Sequence, residues 1–440
     1  MDFLKYVFRG DKVIWIIFLL LCVLSVFEVF SASSTLAYST GNYWAPLTRH
    51  SIFLLVGVGV VLLFHNINYK YFQVIPFFLL PLSIVLLAYL TINGIITGDH
   101  GVKGAARWFE KGGVSFQPSE LAKMALVIAA AYILSRGQDE HGAHPKAFKY
   151  ITILTFVVVG LIFPENYSTA ALLFCTILLM MFIGRVQMRK LVLLVSALCV
   201  GLVLFVTFLE LMPDSTLNKI PGGHRFTTWK ARINDFARHD HVAPAKFDID
   251  GDGQVAHARI AIATSNVVGK GPGNSVERDF LAHAYSDFIY SIIIEELGLV
   301  GGVAVVFLYV CLLIRVGRIA KKCNRTFPAL LITGITLLLV IQAMFNMMVA
   351  VGLAPVTGQP LPLVSMGGTS ILINCAYVGM ILSVSRYTAQ LDELRAHDAR
   401  IEMQISTGYE EEMAVVPATA SLQAVPEPMS EALNSDTEMI

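Results

Sequence analysis

The chain has 440 residues, 55% of them hydrophobic and 15% charged, with a formal net charge of +0 and a mean hydropathy of +0.66. Such an apolar balance excludes an ordinary water-soluble domain of this length, and zero net charge gives no hint of a nucleic-acid partner. The six cysteines (Cys22, Cys175, Cys199, Cys311, Cys323 and Cys375) sit in apolar runs or a short basic loop, so neither a disulfide framework nor a cysteine metal site is expected.

Lys5, Arg9 and Lys12 precede the apolar run 13–33. That run is long for a signal-peptide core and lacks a clean small-residue cleavage site, so it reads as a retained first helix. Further apolar runs follow at 50–65, 71–93, 118–135, 150–163, 168–184, 190–211, 286–314, 327–351 and 368–388, giving ten predicted spans. Backbone polar groups in hydrocarbon must be satisfied within the segment, which makes each run a helix and the fold an all-α membrane protein. Positive charge in short loops favours the cytoplasmic side. Lys70, the group Arg136, Lys146 and Lys149, the group Arg185, Arg189 and Lys190, and the cluster from Arg315 to Arg325 fall on one side. Both termini are therefore expected to be cytoplasmic. The organisation predicted is a polytopic domain over 1–390, with a long extracytoplasmic loop at 212–285 between the seventh and eighth spans, and a cytoplasmic, disordered tail at 391–440.

Three segments then share the outer face: 93–117, 213–285 and 352–368. The first leads into Gln117-Pro118-Ser119-Glu120-Leu121-Ala122-Lys123. Pro118 suits a first helical turn, and Ser119 and Glu120 suit its positive end. Arg107 could pair with a phosphate in two-pronged fashion, and Lys123 could act as a point charge. Interfacial snorkelling for Arg107, and an ion pair of Lys123 with Glu120 or Glu296, fit the spacing equally well. In the long loop, Asp248, Asp250 and Asp252 followed by Gly253 look like the first half of a calcium loop, but its closing position holds Arg259 instead of glutamate. A flexible acidic turn is the plainer reading. Gly269-Lys270-Gly271-Pro272-Gly273 resembles a phosphate cradle only loosely and follows no evident strand, so it reads as a tight turn.

Asp287 opens the eighth span, with Glu295 and Glu296 two turns further in. A carboxylate at a membrane surface is costly unless it faces a cavity or a partner. A helix cap and a functional acid are both open for Asp287; a structural ion pair is the favoured reading of Glu295 and Glu296. The last outer segment, Pro355 through Ser370, holds Ser365, Gly367 and Gly368 and places non-helical backbone at membrane depth, which is tolerated where it lines a cavity or is buried in protein.

Taken together, Arg107-Trp108, Gln117 through Lys123, the Gly269–Gly273 turn, Ser286-Asp287-Phe288 with Glu295-Glu296-Leu297-Gly298, and Pro355 through Ser370 resemble the shape, elongation, division and sporulation (SEDS) family of bacterial cell-wall glycosyltransferases. The resemblance covers nearly the whole membrane region. It is nearest to the division branch and next to the elongation branch. It implies polymerisation of lipid II into β-1,4 glycan with release of undecaprenyl pyrophosphate, in the bacterial inner membrane, with Asp287 as the catalytic residue. It also implies that Arg107 and Lys123 line an outer cavity. Gln117, Ser119, Glu120, Arg225, Trp229, Ser365, Gly367 and Gly368 are expected around the substrate. A divalent cation, Mg or Mn, is expected, and no organic cofactor. Expected partners are a class B penicillin-binding protein, which would supply the transpeptidase, and other division proteins. Two positions depart from the family pattern: His283 stands where a second acidic residue is common, and Pro164-Glu165-Asn166 replaces a Gln-Pro-Asp run. A lipid flippase and a division scaffold are the competing readings from other classes. The flippase would use Glu28, Lys123, Glu295 and Glu296 as a transport path, and the scaffold would tolerate loss of Asp287.

Overall fold

The computed structural model describes residues 9–34, 41–42, 44–97, 109–111, 114–139, 142–164, 166–213, 230, 253–281, 284–356 and 358–415. The chain falls into two units, 1–388 and 389–440. The first is a helical bundle. Its helices are α1 (Lys12–Ala32), α2 (Ala45–Asn66), α3 (Ile75–Thr97), α4 (Pro118–Ser135), α5 (Pro145–Ile162), α6 (Tyr167–Ile183) and α7 (Met188–Leu211), followed by the short α8 (Gly253–Thr264) and then α9 (Ile289–Lys322) and α10 (Thr326–Ala350). α11 (Gly368–Val415) begins in this unit. Among the described residues nine helices are long and apolar enough to cross a membrane, and α6 is a shorter apolar one, so each of the ten predicted spans has its helix.

The observed helices outrun the apolar runs at their polar ends. α5 starts at Pro145, where the His144 ring accepts from the Lys146 amide at 3.2 Å and proline takes the first turn. α9 runs to Lys322, and its Arg315 clamps Asp11, the N-cap of α1, at 2.7 Å. The segment expected as loop before α4 contains a short antiparallel pair, β1 (Phe109–Lys111) with β2 (Val114–Phe116), in which Phe109 faces Phe116. In the second unit α11 continues helical through Val415, because Ala, Leu, Glu and Arg, which are strong helix formers, dominate 389–403. Residues 416–440 of the tail lie outside the described residues.

α4, α10 and the first half of α11 form the centre of the bundle. Ala122, Ala125, Ala129, Ala130 and Ala131 on α4 are buried, and such small side chains let neighbouring helices approach closely. α4 packs on α3, α10, α5 and α6, and α10 on α9 and α6. α7 is the opposite case: Leu191 and Leu209 are its only buried residues. The second apolar cluster is small and sits at the site. Ala258 of α8, Leu281, Ala284, Phe288, Ile292, Val349 and Ala354 bind α8 to the start of α9 and the end of α10.

Candidate functional site

Asp287 lies two residues before α9. The helix N-cap is Phe288, with no side-chain capping bond, so the cap reading of Asp287 does not hold. The carboxylate is partly exposed and accepts from the Ser286 hydroxyl at 2.7 Å. Burial, and then the Asp287 charge, push the Tyr285 phenol above its ordinary range, so it stays neutral.

The main chain around Asp287 is held from two sides. Asn346 of α10 donates its amide to the Asp287 carbonyl at 2.8 Å and to the Gln359 carbonyl at 2.7 Å. Ser365 donates to the Ser286 carbonyl at 2.6 Å and accepts from the Leu361 amide at 2.8 Å, while the Met366 amide donates to the Tyr285 carbonyl at 2.9 Å. Asp287 is thus tied to the Pro/Gly loop 355–367 as well as to α10.

That loop has an unusual supply of hydrogen bonds. Non-helical backbone inside a bundle leaves carbonyls that must find donors. Side chains from four helices provide them. Ser25 of α1 donates to the Val364 carbonyl at 2.7 Å, Tyr167 of α6 to Val356 at 3.4 Å, Tyr309 of α9 to Pro362, and Gln342 of α10 to Pro360 at 3.1 Å. Gln359 in turn donates to Thr169 at 2.6 Å. Leu363, buried in the loop, holds φ at 65°, a left-handed conformation that a branched side chain rarely adopts and that is commonest at functional sites.

Lys123 reaches this network from below. Its ammonium is fully buried, 2.7 Å from Glu120 and 3.0 Å from the Gln342 carbonyl oxygen. Of the roles open in the sequence, the pairing with Glu120 is the one found; a phosphate would meet a charge already neutralised. Prediction: Glu120→Gln leaves that ammonium unpaired and lowers stability by about 3 kcal/mol, and Glu120→Met with Lys123→Met recovers most of it. Equal unfolding midpoints in detergent for the single and double variants would refute the pairing. Gln117 is the N-cap of α4 without a capping bond, and the buried Ser119 hydroxyl has no partner. Gly367 and Gly368 lead into α11.

Glu295 and Glu296 are structural, and the Gly269–Gly273 turn explains them. Lys270 pairs with Glu295 at 2.6 Å, and Ser275 and the Val276 amide donate to the same carboxylate. Glu296 accepts from Ser31 of α1 and from the Gly273 and Ser275 amides, with Arg278 at 4.0 Å. α9 breaks directly after, at Gly298, with φ 72° and ψ −174°. The break frees the Glu295 and Glu296 carbonyls, and the amides of Lys270 and Gly271 take them at 2.9 and 2.8 Å. The turn therefore cradles a broken helix, not a phosphate.

Arg107, Arg225, Trp229, Asp248, Asp250, Asp252, His283 and Glu165 lie outside the described residues. The second half of the candidate calcium loop is helical from Gly253, and its Arg259 lies against Gly352. Among the described residues no three His, Cys, Asp or Glu side chains group to hold a metal ion. Sequence reasoning passed over Gln342, Asn346, Gln359 and Thr169. The available signal was two amide side chains, four residues apart, in the otherwise apolar α10.

A family model described as cell cycle protein, covering the FtsW, RodA and SpoVE proteins, matches residues 11–390. A protein of Nitrosomonas europaea named probable peptidoglycan glycosyltransferase FtsW is 31% identical over 83% of this chain and 90% of its own length. A protein of Halomonas elongata with the same name is 32% identical over 82% of this chain and 87% of its own. In fold, the chain is similar to a member of a peptidoglycan synthase complex that coordinates polymerization and crosslinking, with TM-score 0.66, 24% identity, and coverage of 87% and 99% of the two chains. It is also similar to the rod shape determining protein RodA of Thermus thermophilus, with TM-score 0.58, 23% identity, and coverage of 86% and 97%.

Proposed function

Because the chain belongs to the FtsW/RodA/SpoVE family of multi-pass membrane proteins, we propose that it polymerises lipid II into peptidoglycan strands during septal cell-wall synthesis. The enzyme is a peptidoglycan glycosyltransferase. The observation that carries a chemical role for Asp287 is its setting: a carboxylate that caps no helix, partly exposed, on a main chain fixed by Asn346 and Ser365.

Glycosyl transfer to a hydroxyl needs a base for the acceptor and a fixed geometry between the reacting groups. Asp287 takes the proton from the GlcNAc 4-hydroxyl of the incoming lipid II. The oxygen attacks the anomeric carbon of the MurNAc at the reducing end of the growing chain. The bond to undecaprenyl pyrophosphate breaks, and the α-linked sugar inverts to a β-1,4 link. Roles for Arg107 at the leaving pyrophosphate and for Arg225 and Trp229 at sugar rest on the family resemblance alone, since all three lie outside the described residues. Lys123 acts from within the bundle through Gln342. Ser365 holds the Ser286 carbonyl beside Asp287, and Gly367 and Gly368 lead from that loop into α11. The described residues supply no ligand set for a divalent cation, and no step is assigned to one. The bundle sits in the bacterial inner membrane with both termini in the cytoplasm, and a class B penicillin-binding protein completes crosslinking.

The test is polymerisation of lipid II by the purified full chain with its class B partner, with Mg or Mn present. Polymer is the expected product. Passage of labelled lipid II across vesicles with no polymer formed would replace this reading with a flippase.

A further inference from the structure

The α10 amides do more than close gaps in the loop. Gln342 and Asn346 are one helical turn apart, so they share a face, and both are buried. Each is held in one orientation. Asn346 faces two carbonyls, those of Asp287 and Gln359, so the nitrogen end must point at them. Gln342 presents its oxygen to the Lys123 ammonium at 3.0 Å and therefore its nitrogen to the Pro360 carbonyl at 3.1 Å. The Lys123 charge is fixed in turn by Glu120 at 2.7 Å. A buried ion pair thereby orients one amide, that amide and its neighbour hold consecutive carbonyls of the Pro/Gly loop, and the second amide holds Asp287 itself.

We propose that Gln342 and Asn346 are positioning residues, which set the Asp287 carboxylate against the acceptor hydroxyl, and that Lys123 serves the reaction by locking Gln342. Neither amide touches substrate. The role follows from chemistry: a base must lie within hydrogen-bond reach of its proton, and a displacement of about 1 Å can cost about 10²-fold in rate. An amide donating to the base's own carbonyl fixes the residue at its main chain, where side-chain rotation cannot absorb an error.

The inference rests on Asp287 being the base, and the experiment separates the two. Polymerisation of lipid II by the full chain with its class B partner is measured for Asp287→Ala, Asn346→Asp, Asn346→Ser and Gln342→Glu. Asn346→Asp keeps the shape but turns an acceptor toward two carbonyls, so kcat should fall about 10²-fold with KM for lipid II nearly unchanged. Asn346→Ser keeps one donor and should recover part of that loss. Gln342→Glu keeps the contact to Lys123 and loses the one to Pro360, so it should lower kcat in the same way with the complex intact. If Asp287→Ala polymerises normally, the base reading fails. If Asp287→Ala is inactive while Asn346→Asp and Gln342→Glu keep wild-type kcat, the positioning role is overturned. A raised KM at unchanged kcat would make these residues substrate ligands, which also overturns it. Should Asn346→Asp fail to fold, Asn346→Ser and Gln342→Glu decide by the same readout.

Discussion

Asp287→Asn yields a folded protein that has lost nearly all of its glycan polymerisation. The substitution keeps the shape of the side chain and removes the proton acceptor. Its main-chain anchors are untouched, because Asn346 holds the carbonyl of residue 287, which asparagine also has, and Ser365 holds that of Ser286. The Ser286 hydroxyl can donate to the amide oxygen as it does to the carboxylate. The expected loss is about 10²–10⁴-fold in turnover, the usual share of a general base. The measurement is polymer length and amount from radiolabelled lipid II, beside thermal unfolding of the same preparation. Turnover within about tenfold of wild type would move the base to another residue.

The second large effect falls on folding. Gly298→Ala should lower the stability of the bundle by more than about 5 kcal/mol, enough to remove folded protein from membranes. The backbone at φ 72°, ψ −174° is a conformation essentially reserved for glycine, costing about 1–3 kcal/mol for any other residue. A Cβ there would lie 2.3 Å from the Val267 carbonyl oxygen, 2.5 Å from the Gly269 nitrogen and 2.5 Å from the Val268 carbonyl carbon. These are main-chain atoms, so no rotamer relieves the overlap. Separating the strands also loses the bonds from Lys270 and Gly271 to the freed carbonyls, at about 1 kcal/mol each. Gly59 of α2 provides a comparison: a Cβ there would meet nothing within 4 Å among the described residues. Gly59→Ala should therefore be the milder substitution. Equal yields of Gly298→Ala and Gly59→Ala from membranes would show that the break at Gly298 is dispensable.

The fold was legible because hydrocarbon admits few structures: length and apolar content located each of the ten spans. Both ends of α4 were legible from Pro118 and the run to Ser135, but other ends were not, since hydropathy ignores the polar residues that start and stop helices, as His144 and Lys322 do here. Asp287 could be found because a carboxylate beside an apolar helix is conspicuous. Its supports could not. Asn346 lies 59 residues from Asp287, and Lys123 lies 219 from Gln342, and no local pattern pairs them. The Gly269–Gly273 turn shows the same limit. Its glycines read as a tight turn, and that the turn grips the broken α9 is something only the tertiary structure could supply. Lys123 had been open between substrate and Glu120 because spacing of three residues permits the pair without requiring it.

The donors to the Pro/Gly loop have one more property in common. Ser25, Tyr167, Tyr309, Gln342 and Asn346 all precede the loop in the chain. During synthesis each leaves the ribosome before residues 355–367 do. The loop carbonyls therefore arrive after the side chains that donate to them. A chain interrupted between Asn346 and residue 355 holds Asp287 by the Asn346 amide alone and lacks the bonds that Ser365 and the Met366 amide make to its neighbours. The fastening of Asp287 is thus completed only once residue 366 has been made, and a shorter nascent chain bound to lipid II lacks it.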